Sequence, residues 1–193
     1  MQPLIDNARL LGQRPEEFAK LAEGQSPKVL FITCSDSRVV PNLITGAGTG
    51  ELFELRTAGN IVPPYASEYP TSEAATIEYA VEVLGVSDIV VCGHSHCGAV
   101  GALVRGDDLN TVPAVRDWLA HAADKPDCSD AADPTVAEGV QNHVLAQVLR
   151  LHSYPCIEKR LTTGQVRLHG WYYEVHTGCV RAHRMESDTF ETL

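Results

Sequence analysis

Two short apolar runs constrain this chain more than anything else in it. Val29-Leu30-Phe31-Ile32-Thr33 and Ile89-Val90-Val91-Cys92 are rich in β-branched residues and too short to be helices. Continuous apolar runs of this kind suit strands buried on both faces, and such strands belong to parallel sheets. Between them, Glu51-Leu52-Phe53-Glu54-Leu55-Arg56 reads as a third strand. Over residues 71–84, Ala74, Ile77, Ala80, Val81 and Leu84 recur at helical spacing, and Gly85 ends the run. Further on, residues 136–151 place Val140, Val144, Val148 and Leu151 along one side of a helix. Residues 165–169 and 172–175 read either as one strand segment or as a hairpin around Gly170-Trp171. The rhythm predicts an α/β fold: a mostly parallel β-sheet flanked by helices, with an added C-terminal strand or hairpin.

A chain of 193 residues, 44% hydrophobic, can bury a real core as one domain, 1–193. Residues 1–24 read as a helical arm. Pro15 starts a short helix over 16–21, and its apolar stripe of Phe18, Leu21 and Ala22 needs a cover that a partner subunit would provide. Residues 124–134 are polar and carry prolines, which makes them a surface loop and not a linker between two cores.

The formal charge is −10, and no Lys/Arg run exists that could track a phosphate backbone or an anionic membrane. Nucleic acid and lipid surfaces are thereby poor partners. No segment approaches the ~20 apolar residues of a membrane span, and the first residues lack the basic and apolar regions of a secretion signal. The expected location is the cytoplasm. In that reducing setting the six cysteines, at 34, 92, 97, 128, 156 and 179, are read as metal ligands and free thiols, with disulfides the weaker alternative.

The chemistry concentrates at two strand ends. Cys34 directly follows the first apolar run, and Gly93-His94-Ser95-His96-Cys97-Gly98 directly follows the second. In open α/β sheets ligands bind beyond the carboxyl ends of the strands. His94 and Cys97 are three apart, a spacing that turns both side chains toward one point in the first turn of a helix, and Cys34 completes a three-ligand set from the neighbouring strand. Three ligands leave one position open, as in catalytic zinc sites, whereas structural sites close with four. A His-x-x-Cys spacing alone recurs by chance and carries little. Cys34-Ser35-Asp36-Ser37-Arg38, however, sets a carboxylate and a guanidinium beside the thiol; the bland reading of that pair is a loop salt bridge of ~0–1 kcal/mol.

Together, Cys34-Ser35-Asp36-Ser37-Arg38 and Gly93-His94-x-x-Cys97-Gly98 resemble the paired signature of the beta-class carbonic anhydrases. The resemblance extends through Gly50-Glu51-Leu52-Phe53, Arg56-Thr57-Ala58-Gly59-Asn60, Ile77-Glu78-Tyr79-Ala80, Gln147-Val148 and Tyr154-Pro155. It implies a zinc lyase, a carbonate dehydratase, converting carbon dioxide reversibly to bicarbonate and a proton. Zn2+ would be held by Cys34, His94 and Cys97, and a zinc-bound hydroxide would be oriented by the dyad Asp36 and Arg38. In a closed state Asp36 would itself become the fourth ligand. Gln25, Phe53, Ala58, Tyr79 and Gly98 match substrate-binding positions of the plant-like subgroup. Two departures stand out: Ala58 replaces a bulkier aliphatic, which widens the pocket, and Gly48-Thr49-Gly50 replaces a Pro-Gly turn. The resemblance also implies a homodimer, or a higher oligomer built from it, with the pocket at the interface.

Other readings remain open at this level. Phe53 on a strand and Tyr79 on an amphipathic helix also suit an ordinary core. His96 cannot face the metal together with its neighbours and is expected to be partly exposed. Cys92, Cys156 and Cys179 read as structural thiols and Cys128 as a surface thiol, while His121, His143, His152, His169, His176 and His183 are scattered with no spacing that selects one. The same fold and metal set would also serve hydrolysis of carbonyl sulfide or carbon disulfide, and a catalytically silent zinc-stabilised interaction protein is the rival from another class.

Overall fold

The computed structural model describes residues 1–122 and 125–193, so Asp124 at the head of the predicted surface loop lies outside the described residues. The chain runs α1 (Gln2–Leu11), α2 (Pro15–Phe18), a 3-10 turn (Ala19–Glu23), β1 (Val29–Cys34), α3 (Pro41–Thr45) and β2 (Leu52–Thr57). A second 3-10 turn (Ala58–Asn60) leads to α4 (Ser72–Glu78), a π turn (Tyr79–Val83), β3 (Asp88–His94), α5 (Gly98–Arg105), α6 (Pro113–Leu119) and α7 (Ala137–Leu151). Last come α8 (Pro155–Thr162), β4 (Arg167–Tyr173), β5 (Val180–Arg184) and β6 (Thr189–Thr192).

The six strands form one sheet in the order β2-β1-β3-β4-β5-β6. The first four run parallel, and β5 and β6 add on antiparallel. Alternation along the strands divides the core. Leu30, Ile32, Ile89 and Val91 pack with Ala74 and Ile77 of α4, Val100 and Val104 of α5, and Val140 and Val144 of α7. Phe31, Val90 and Cys92 point the other way into a smaller cluster, where the Phe31 and Trp171 rings meet edge to face at 5.9 Å.

Local chemistry explains the elements. Thr71 caps α4, its hydroxyl accepting the Ala74 N–H at 3.1 Å. The helix expected over 71–84 is present but loosens into the π turn, where Leu84 N–H reaches back to Tyr79 O at 3.0 Å before Gly85 turns the chain at φ 68°. Of the two alternatives for residues 165–175, the structure takes the strand. β4 passes straight through Gly170-Trp171 parallel to β3, and the hairpin falls one element later, at residues 174–179. Gly170 serves packing instead of turning: a Cβ there would sit 3.2 Å from Val144 Cγ1. Gly93 does the same more severely, since its Cβ would lie 2.6 Å from both Val140 Cγ1 and Val144 Cγ2. The two glycines let α7 press against the sheet beside the residue that precedes His94.

The N-terminal arm is helical as expected, but α1 and α2 bury nothing: Leu4 is 66% exposed and Leu10 58%. Among the described residues no helix is long and apolar enough to cross a membrane. All six cysteines are free thiols.

Candidate metal centre

β1 and β3 are neighbours, and the chain leaves β1 toward β2 on one side and β3 toward β4 on the other, which opens a crevice at the carboxyl ends of the two strands. Cys34 is the last residue of β1 and His94 the last of β3, and Thr33 pairs with Cys92, which brings both side chains to the same edge. The ligand atoms of Cys34, His94 and Cys97 lie within 4.8 Å of one another, and all three residues are buried.

How Cys97 arrives differs from the sequence expectation. His94 ends a strand and Cys97 is the N-cap of α5, so the two do not share the first turn of a helix. His96 adopts a left-handed conformation at φ 59°, folding the chain back so that positions 94 and 97 converge as they would in a helical turn. The loop is pinned outside the helix. Ser95 N–H donates to Tyr173 O at 2.9 Å, His96 N–H to Thr135 O at 2.9 Å, and Ser95 Oγ accepts Val175 N–H at 3.0 Å. His96 is half-buried, as expected.

The state of each ligand follows from its contacts. His94 Nδ1 lies 2.9 Å from Ser95 O, a bond it makes as donor, which leaves Nε2 with its lone pair; Nε2 is buried without a hydrogen-bond partner. Cys34 Sγ accepts the Gly59 N–H at 3.4 Å. Between the two thiols, charge settles first on Cys34: the Cys97 S–H, opposed by burial and aided by His94 and Gly59, holds it well below the usual thiol range. That negative charge and burial push Cys97 far up, against the pull of the α5 N-terminal amides of Val100 and Ala99. An unpartnered imidazole nitrogen facing two sulfurs is a seat for a cation, and a divalent ion would free both thiols of their protons.

Asp36 and Arg38 stand beside this seat. Arg38 Nε donates to Asp36 Oδ1 at 2.9 Å and Nη2 to Oδ2 at 2.7 Å, while the Arg38 backbone N–H adds a third bond to Oδ1 at 2.9 Å. The guanidinium holds the Asp36 carboxyl well below the usual carboxylate range. Arg38 Nη2 also reaches His96 O at 3.2 Å, tying the two halves of the site together.

The predicted substrate positions divide into two groups. Ala58 and Gly98 border the ligands: Ala58 follows Thr57, the register partner of Cys34, and Gly98 follows Cys97. Phe53 and Tyr79 touch each other with ring centroids 6.0 Å apart, but Phe53 pairs with Leu30, four residues back along β2 from Thr57. At about 3.3 Å per residue that is ~13 Å from the ligand edge, so a single chain does not bring the aromatic pair to its own metal seat. Gln25 is exposed in the segment before β1.

Two functional neighbours escaped sequence reasoning. Buried His143 on α7 has Nε2 2.8 Å from Gly59 O and so fixes the residue that donates to Cys34. Its signal was available: a histidine on the same helix face as Val140 and Gln147 is a polar group in a core and requires a partner. Arg56 stands in the stretch Arg56-Thr57-Ala58-Gly59-Asn60 with no role evident from residue type, yet it binds the Cys34 carbonyl through Nε at 3.1 Å and Nη2 at 2.9 Å.

An open α/β sheet that brings two thiols and one imidazole together at its switch point defines a protein with a buried seat suited to a metal ion. A family model described as carbonic anhydrase matches residues 29–180. A carbonic anhydrase of Pseudomonas aeruginosa is 45% identical over 186 residues, covering 93% of this chain and 84% of its own. Among solved structures, the beta-carbonic anhydrase CcaA superposes with a TM-score of 0.89 at 37% identity, over 100% of this chain and 99% of that one. A tetrameric beta-carbonic anhydrase from Sordaria macrospora follows at 0.78 and 30%, over 94% of each. The chain belongs to the carbonic anhydrase family, in its beta class of enzymes.

Proposed function

We propose that this chain hydrates carbon dioxide reversibly to bicarbonate and a proton, with zinc held by Cys34, His94 and Cys97. The observation that carries the reading is the buried, unpartnered Nε2 of His94 beside two sulfurs, with Asp36 Oδ2 3.9 Å away and held by Arg38. When bound there, zinc supplies Lewis acidity that lowers the pKa of a water to about 7. The chain supplies the rest. Asp36 Oδ2 accepts a hydrogen bond from the nucleophile's O–H, which turns a lone pair toward the substrate carbon, and Arg38 keeps that carboxylate off the metal. Negative charge that builds on the product oxygen is met by the Gly98 N–H and the Gln25 amide. Ala58, Phe53 and Tyr79 exclude water around an apolar, linear substrate.

Phe53 and Tyr79 sit too far back along their own sheet to line their own site, so the pocket is completed across a dimer by the aromatic pair of a second copy. The uncovered arm and the tetrameric Sordaria relative support an oligomer. Six free thiols support a reducing cytoplasmic location.

Stopped-flow hydration with a pH indicator tests the activity on zinc-loaded wild type and on Cys97→Ser. Hydration above background in the first and its loss in the second are expected. A silent wild type that still binds zinc leaves a metal-stabilised binding module.

A further inference from the structure

Arg56 rises from the edge strand β2, opposite Thr33 of β1, and reaches over the loop that leaves the metal seat. Its four hydrogen bonds all end on backbone carbonyls. Nε and Nη2 share Cys34 O at 3.1 and 2.9 Å, and Nη2 also meets Asp36 O and Val39 O, each at 2.8 Å. Among the described residues it forms no ion pair with any carboxylate. A guanidinium that ignores the acids of a chain with net charge −10 to gather three carbonyls is acting as a clamp.

We propose that Arg56 is a positioning residue: by gathering the carbonyls of Cys34, Asp36 and Val39 it fixes the backbone that carries both a metal ligand and the Asp36 carboxylate. This rests on the reading of the site as an open metal centre. The two arginines divide the work. Arg38 grips the Asp36 side chain, and Arg56 grips the main chain beneath it. Without the second grip, the stretch 35–39 loses its tie to β2 except for Ser35 N–H on Thr57 O, and the carboxylate can approach the vacant position with Arg38 still attached. The clamp requires the fork of a guanidinium. A lysine keeps the charge and presents one compact donor group to carbonyls that point from several directions.

The test uses full-length protein loaded with cobalt(II) and titrated with azide, which enters a vacant coordination position and changes the visible spectrum. Arg56→Lys and Arg56→Gln are compared with wild type, with thermal unfolding as the control for folding. Both variants are expected to bind cobalt yet to require about 10-fold more azide or worse, because a misplacement of about 1 Å in such a site costs up to ~10²-fold. Should Arg56→Gln fail to fold, Arg56→Lys decides the matter alone. A lysine variant that titrates like wild type overturns the clamp and assigns Arg56 a charge role. A wild-type spectrum indifferent to azide overturns the open-site reading, and the proposal with it.

Discussion

Asp36 lies between a cation and a metal ligand: its Oδ2 is 2.7 Å from Arg38 Nη2 and 3.9 Å from His94 Nε2. The carboxylate is thus within a short swing of the seat and restrained from making it. The restraint is geometric and electrostatic, since Arg38 donates to both carboxylate oxygens.

Arg38→Ala is expected to lower hydration by about 10²-fold, by removing the restraint that orients Asp36. Closure by Asp36 should then reach higher pH, because a freed carboxylate competes best where hydroxide is scarce. Stopped-flow profiles from acid to alkaline pH on wild type and variant check this. An unchanged profile shape takes the dyad out of the mechanism.

His143 is buried, with Nε2 on the Gly59 carbonyl, and burial lowers its pKa below the ordinary histidine value. A depressed pKa means that the unfolded chain takes up the proton first. Stability from this group is therefore full above about pH 6.5 and is lost as pH falls toward the folded value. Urea unfolding of wild type should weaken over that acid interval, and His143→Gln should flatten the slope. His143→Leu should cost roughly 1–3 kcal/mol at pH 8 by stranding the Gly59 carbonyl.

At Gly93 a Cβ would meet Val140 and Val144 at 2.6 Å. Gly93→Ala is expected to destabilise by about 1–3 kcal/mol through overpacking, and adding Val140→Ala should recover only part because Val144 still clashes. Thermal melts of Gly93→Ala, Val140→Ala and the double variant measure the coupling. Additive losses would show that α7 is not held at this spacing.

The arm exposes Leu4, Leu10 and Leu11 on α1. Sedimentation should find a dimer or larger at micromolar concentration. A Leu4→Asp, Leu11→Asp double variant is expected to shift it toward monomer, with hydration falling alongside if the pocket is shared between copies. A variant that is monomeric and fully active would place the whole pocket within one chain.

Much of this protein was legible in its sequence for a simple reason: strands buried on both faces and helices with one apolar stripe leave periodic signatures. The runs beginning at Val29 and Ile89 became the neighbouring parallel strands β1 and β3, and the metal-ligand trio met where those strands end. Boundaries and turns read less well, since they depend on neighbours. Gly170 resembles a turn residue, but its lack of a side chain serves the approach of α7, a contact made with residues some 25 positions away in the chain.

The sequence by itself determined the composition of the site, because coordination chemistry depends on residue type and on strand order. Tertiary structure alone decided how the site is held. His143 reaches Gly59 across 84 residues and Arg56 reaches Cys34 across 22, and both bonds are to backbone groups whose position no side-chain pattern encodes. A carbonyl is present at every residue, so only the fold can select which ones a buried imidazole or a guanidinium will find.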